Sequence, residues 1–190
     1  MTAAVKVPVN SLGRMCYILV MGKKKLWFSV GDRVVYPGYG VGLVEGFQER
    51  MLGGEPRSFC TLLVKENETE SRVMIPLDNV DEVGLRALAT KKDATEALNF
   101  LSEGTPPILN SWRERFAAHG EMLAKGDLPS VAMVLKALYT INAKKPLSFR
   151  EKKMYQKALS LLTAEVGGAL GKSRQAIEAE AMERLAGKKP

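Results

Sequence analysis

Two kinds of hydrophobic spacing divide this chain. From Val30 to Arg86 the apolar residues come in short runs separated by turn residues. Val34 and Val35 precede Pro37-Gly38-Tyr39-Gly40, and Val41, Leu43 and Val44 follow it. Gly53-Gly54 in "RMLGGEPRSF" predicts a hairpin, because glycine reaches the positive φ that a tight turn needs. "SFCTLLVK" and "SRVMIP" predict two further strands around the polar turn "ENETE". Pro76 ends the second, since proline cannot donate to a strand ladder. "VDEVGLR" predicts a last short strand. Five short strands so close together predict a small barrel or a strongly bent sheet.

After Arg86 the spacing becomes helical. Ala94, Ala97, Leu98 and Leu101 share one face of a helix from Thr90 to Ser102. Pro106-Pro107 breaks the chain. Asn110 is the expected cap of a helix that runs to about Lys125 and stops at Gly126. Asp127 caps the next, with Val131, Val134, Leu135, Leu138 and Tyr139 on one face, and Pro146 stops it. Ser148-Phe149-Arg150-Glu151 is a capping box. The helix after it carries Met154, Tyr155, Ala158, Leu161, Leu162 and Val166 on one stripe, with Glu165 as its polar exception. Ser173 caps a last helix to about Leu185, whose Ala/Glu-rich composition predicts fraying. The fold class is therefore α+β: a five-stranded β module, then an all-α bundle of four to five helices. The expected divisions are 1–26 as a leader, 27–87 as the β module, 88–107 as a connecting helix and linker, and 108–187 as the helical domain. The leader has no clear period and is expected to be disordered, or to reflect a start assigned too early, with Met21 as the true one.

Charge sharpens this division. The 190 residues carry a net +7. Residues 27–87 hold six Lys/Arg against ten Asp/Glu, whereas residues 108–190 hold fifteen against eight. An acidic and a basic part on one chain suggest two different partners. Cys16 and Cys60 make no disulfide framework, so a reducing cytoplasm is expected. The apolar run Met15–Met21 is too short to span a bilayer, and its lysines follow it rather than precede it. No membrane association is expected.

Several motifs mislead. "VGGALGKS" (166–173) approaches a phosphate-binding loop, but the spacing between Gly167 and Gly171 is one residue short and the segment follows a helix. A helix C-cap is the plainer reading. "NET" at 67–69 matches a glycosylation sequon that only an exported chain would use. One histidine, His119, excludes a His-rich metal site and reads as an ordinary surface or half-buried residue. Helical carboxylates read mostly as solvated faces or i,i+4 partners. No catalytic constellation is present, so no enzyme activity and no cofactor are expected.

Positive residues recur near helix starts: Arg113 and Arg115, then Lys144, Lys145, Arg150, Lys152 and Lys153. A helix N-terminus favours phosphate and flanking cations add to that, giving affinity without sequence choice. The same residues could simply be a solvated face. Trp112 is equally open. With Phe116 and Leu123 it reads as a core stripe; with its arginines it reads as a wedge against a base step in a minor groove.

The stretches "FSVGDRVVYPGYGVGLVEGF", "SRVMIPLDNVDEVGLR", "NSWRERFAAHGEMLAKGD" and "LSFREKKMYQKALSLLTAE" resemble, in order, the CarD/CdnL family of bacterial transcription regulators. The resemblance runs from about residue 28 to about residue 165. The β module also occurs in the transcription-repair coupling factor, but this chain is too short for that factor's motor and lacks its phosphate-binding loop.

The resemblance implies a Tudor-like barrel that docks on the β subunit of RNA polymerase. It also implies a helical domain on promoter DNA at the upstream edge of the transcription bubble, in the minor groove and largely without sequence choice, where a tryptophan wedge prolongs the open complex. It places Trp112 at the wedge, with Arg113 and Arg115 as a phosphate clamp. Lys152 falls at a DNA-contacting lysine, with Lys144, Lys145, Arg150 and Lys153 around it. Arg50 matches a polymerase-contacting arginine, and Met74 with Pro76 matches a contact strand. Some relatives carry arginine where Met74 stands and lysine where Ala117 stands, so DNA affinity is expected to lean on Lys144–Lys153. No small-molecule substrate is implied, and the place of action is the cytoplasmic nucleoid. The alternative is a protein-interaction adaptor whose Tudor-like module binds another partner and whose helices make no functional DNA contact.

Overall fold

The computed structural model describes residues 26–66, 69–107, 109 and 111–187. Most of the leader, Cys16, Asn67 of the sequon and Asn110 lie outside them. Five strands come first: β1 (Arg33–Tyr36), β2 (Gly40–Leu52), β3 (Glu55–Glu66), β4 (Thr69–Pro76) and β5 (Arg86–Ala87). They form one antiparallel sheet in the order β4-β3-β2-β1-β5. Gly53 and Gly54, both at positive φ, turn β2 into β3. A register shift between Val44 and Gly46 bends the ladder, as an extra residue in one strand does. Alternation then decides the faces. Val44, Cys60, Leu62, Val64 and Ile75 point into a core closed by Phe28, Leu77, Val80 and Leu85. This is the expected five-stranded β module, formed as one antiparallel sheet.

Five helices follow: α1 (Lys91–Glu103), α2 (Trp112–Lys125), α3 (Leu128–Lys144), α4 (Phe149–Leu170) and α5 (Arg174–Leu185). Thr90, Asp127, Ser148 and Ser173 each accept from a first-turn N–H, the last three as the sequence predicts. α2 departs from the expectation. Its cap is Ser111, one residue after Asn110, so Trp112 is the first helical residue.

Two other elements are more firmly placed than their sequences suggest. α1 lies in the stretch read as a connection, yet Ala94, Ala97, Leu98 and Leu101 belong to the same core as Val134, Leu135, Leu138 and Leu162. α5 was expected to fray. Instead Ile177, Ala181 and Leu185 are buried in that core, and Arg184 is held by Asn99 of α1 and Glu180. Sparse apolar residues suffice here because Ile177, Ala181 and Leu185 recur every four residues and so share one side of the helix.

The two parts are joined directly. The carboxylate of Glu165, buried on α4, accepts from both terminal nitrogens of Arg86 on β5, at 2.5 and 2.9 Å, and from the N–H of Ala89. Arg86 also donates to the carbonyl of Gly126, 2.6 Å away. Gly126 ends α2 at φ 67°, and a side chain there would meet Pro37 of the β1–β2 turn. The polar exception on the α4 stripe is therefore the anchor of the contact between the parts.

Candidate nucleic-acid interface

One end of the helical bundle gathers most of the basic residues expected to touch DNA. Ser111 caps α2 by accepting from Glu114 N–H. Trp112 follows at the first helical position and is 40% exposed. Its ring stacks on that of Phe116 one turn later, with centroids 5.6 Å apart and planes 22° from parallel. Leu123, two turns further on, is buried. The stripe thus splits: Leu123 packs inside, Phe116 is half-buried, and Trp112 is presented on top of it.

α4 starts the same way. Ser148 accepts from Glu151 N–H, and Glu151 in turn accepts from the Ser148 N–H and hydroxyl. Phe149 then occupies the first helical position, 73% exposed. Lys153 lies over its ring at 4.7 Å. Arg150, Lys152 and Lys153 are exposed, as are Lys144 and Lys145 at the end of α3 just before this turn. The cations near the Pro146 turn therefore do come together. Arg113 is exposed at the start of α2.

Arg115 is placed differently. Only 16% of its side chain is exposed. It donates to the carbonyl of Leu109 at 2.9 Å and to Glu151 at 3.3 Å. Rather than facing solvent with Arg113, it ties the start of α2 to the start of α4 and so holds the two exposed rings in fixed relation. Burial opposes ionisation of Glu151, but its bonds from Ser148 and Arg115 outweigh that and hold the carboxyl below the usual range. His119, buried one turn beyond Arg115, is pushed below its ordinary value by burial and by the Arg115 charge, with Glu151 opposing.

The two helix starts are a repeat that the sequence carries openly: Ser111-Trp112-Arg113-Glu114-Arg115 and Ser148-Phe149-Arg150-Glu151-Lys152. Serine caps, the aromatic follows, and the third helical residue is a glutamate. In the second copy that glutamate closes the capping box. The sequence does not single out Phe149, because a capping box marks where a helix starts and not what its first residue faces.

The β module presents a separate surface. Strand register puts Arg50 opposite Arg57, and Gln48, Phe59 and Pro76 in one row, with Thr61 opposite Met74. All lie on the face away from the core, since directly paired and alternate residues share a face. The Gln48 amide donates to Thr61 and contacts the Met74 sulfur at 3.6 Å. Arg50, Met74 and Pro76 are therefore on one outward face. Two arginines directly opposed on a ribbon repel each other, which favours an anionic neighbour.

No helix is long and apolar enough to cross a membrane among the described residues. Nor do the described residues contain a group of three or more His, Cys, Asp or Glu able to hold a metal.

Two family models cover most of the chain. Residues 28–89 match the CarD-like/TRCF RID domain, and residues 96–182 match the CarD C-terminal domain. A Bacillus subtilis (strain 168) protein named "Putative transcription factor YdeB" is 24% identical over 139 residues, which is 73% of this chain and 90% of that protein. Among solved structures, CdnLNt from Myxococcus xanthus is 42% identical, covering 35% of this chain and 90% of its own, with a TM-score of 0.28. The 72-residue N-terminal domain of Myxococcus xanthus CarD is 35% identical, covering 35% and 85%, also at 0.28.

Proposed function

The chain is a transcription regulator of the CarD/CdnL family, and from that premise we propose that it holds open the promoter complex of RNA polymerase by gripping DNA with its helical domain while its β module is docked on the polymerase β subunit. The observation that carries this reading is the pair of helix starts, each displaying an aromatic ring beside exposed cations. Arginine and lysine neutralise phosphates without sequence choice. A ring pressed between base steps of the minor groove unstacks them at a few kcal/mol, offset by the contacts that the bent DNA gains. Trp112 is the wedge, stiffened from behind by Phe116. Phe149 is a second exposed ring, at the start of α4. Arg113, Arg150, Lys152 and Lys153 are the phosphate contacts, with Lys144 and Lys145 extending the positive surface. Arg115 acts through Glu151 by fixing the spacing of the two rings.

Docking on the polymerase uses the outward sheet face with Arg50, Met74 and Pro76, beside the edge strand β4. Met74 supplies an apolar contact with a soft, adaptable side chain. The Arg86–Glu165 contact makes the two surfaces one body, so a module docked on polymerase holds Trp112 at a set place on the promoter. Such a protein acts in the cytoplasm, at the nucleoid, and performs no chemistry of its own. The lifetime of polymerase–promoter open complexes with and without the protein tests the reading: it should lengthen, and an unchanged lifetime would refute it.

A further inference from the structure

We propose that the groove between the β sheet and the α4–α5 turn is a binding site for a phosphorylated small molecule of nucleotide size, acting as an effector and not as a substrate. The groove encloses about 430 Å³, within the range of ligand sites. It lies at the far end of α4 from the DNA-facing end. Gly168 follows Phe149 by nineteen residues on that helix, a rise of about 28 Å at 1.5 Å per residue.

The sheet side of the groove is set by register. Arg33, Leu43 and Leu63 stand directly opposite one another on β1, β2 and β3. Lys65, two residues beyond Leu63, shares their face. The row continues to Arg72 on β4, which Glu45 holds, so on the face away from the core two leucines lie between Arg33 and an ion-paired arginine. Leu43 is exposed.

The helical side is the segment that imitates a phosphate-binding loop. Gly171 ends α4 in the left-handed conformation, and Ser173 caps α5. The segment is thus a helix C-cap, as its sequence suggests. Its residues Lys172 and Arg174 nevertheless line the groove opposite Arg33 and Lys65.

Charge identifies the ligand. Lys65 and Lys172 are each matched by one carboxylate, Glu70 and Glu180. Arg174 donates to a neutral carbonyl, that of Lys65, at 2.8 Å. Arg33 has no ion-pair partner among the described residues. Two guanidinium charges are left over in a groove with a leucine floor. Guanidinium pairs phosphate with matched geometry, and the first turn of α5 adds its own positive end. An anion with at least two negative charges and a flat apolar body, as a nucleoside phosphate has, satisfies both features. Because the walls come from both parts of the chain, such a ligand would also brace them against each other.

The test is a calorimetric and thermal-shift titration of the whole chain with ATP and, separately, with inorganic pyrophosphate. ATP should bind at one site and raise the unfolding temperature in proportion to its occupancy. Pyrophosphate should bind more weakly because it lacks the apolar body. Arg33→Ala with Arg174→Ala should weaken ATP binding by about tenfold or more, the scale of a lost charge-assisted bond. Arg150→Ala with Lys152→Ala should leave it unchanged. If the double variant loses its fold, Arg33→Glu alone decides, since that exposed residue holds no ion pair. No saturable ATP binding would overturn the proposal. So would equal binding by the Arg33 and Arg174 variants, loss of binding in the Arg150 and Lys152 variant, or a groove variant that weakens only duplex DNA.

Discussion

Arg86 and Glu165 meet across the boundary between the β module and the helical bundle, with the carboxylate buried and the guanidinium about one third exposed. The asymmetry matters for what each substitution does. Arg86→Ala strands a buried carboxylate, and such uncompensated charges cost about 3 kcal/mol or more. Glu165→Gln leaves an arginine that can still reach water and an amide oxygen that still accepts from Ala89. Denaturant unfolding should therefore show a larger loss for Arg86→Ala than for Glu165→Gln. Equal losses would mean that the pair does not hold the parts together in this way.

Gly126 and Gly171 separate backbone strain from contact. Both end helices at positive φ, 67° and 69°. A Cβ at Gly171 meets nothing, whereas one at Gly126 would sit 2.9 Å from Pro37 Cα. Gly171→Ala should cost about 1 kcal/mol. Gly126→Ala should cost clearly more and loosen the β module from the bundle, read as faster hydrogen exchange at both surfaces.

Trp112→Ala and Leu123→Ala should differ in kind although both lie on α2. Leu123 is 7% exposed, and truncating a buried leucine costs about 2–5 kcal/mol. Trp112 is presented outward, so its loss should lower the unfolding temperature only slightly. A collapse of the thermal transition in Trp112→Ala would make it a core residue.

Acid should weaken the tie between α2 and α4 in two steps. The folded pKa of His119 lies below its ordinary 6.5, so the unfolded chain binds the extra proton first. The stability this contributes is present above 6.5 and is lost as pH falls through the folded pKa. The folded pKa of Glu151 lies below 4.5, so its contribution is present above 4.5 and is lost in the same direction lower down. His119→Asn should remove the upper step in a plot of unfolding midpoint against pH and leave the lower one. An unchanged upper step would mean another group titrates there.

Much of this architecture is legible in the chain, and the losses have physical reasons. Caps such as Asp127, Ser148 and Ser173 are local chemistry, so the sequence places those helix starts well. Asn110 and Ser111 are adjacent residues that both cap well, and composition does not choose between them. Glu165 reads as an anomaly because its partner, Arg86, is seventy-nine residues away. α1 and α5 look marginal alone, since short helices with narrow apolar faces gain their stability from packing. Phe149 is a different case: the chain repeats a Ser-aromatic-Arg-Glu pattern, but an aromatic at a helix start is equally compatible with burial. Arg115 sits beside Arg113 in sequence and shares its charge, yet only the fold reveals that Glu151 holds it.

Open-complex lifetime on one promoter, measured with polymerase alone, with this protein, and with its Trp112→Ala and Phe149→Ala variants, tests the central claim most directly. The protein should lengthen the lifetime. Each variant should remain folded and bound to polymerase while losing most of that effect, and Arg50→Glu should lose it through weaker binding to the β subunit. Variants that are folded, bound to polymerase and as effective as the unchanged protein would contradict the account.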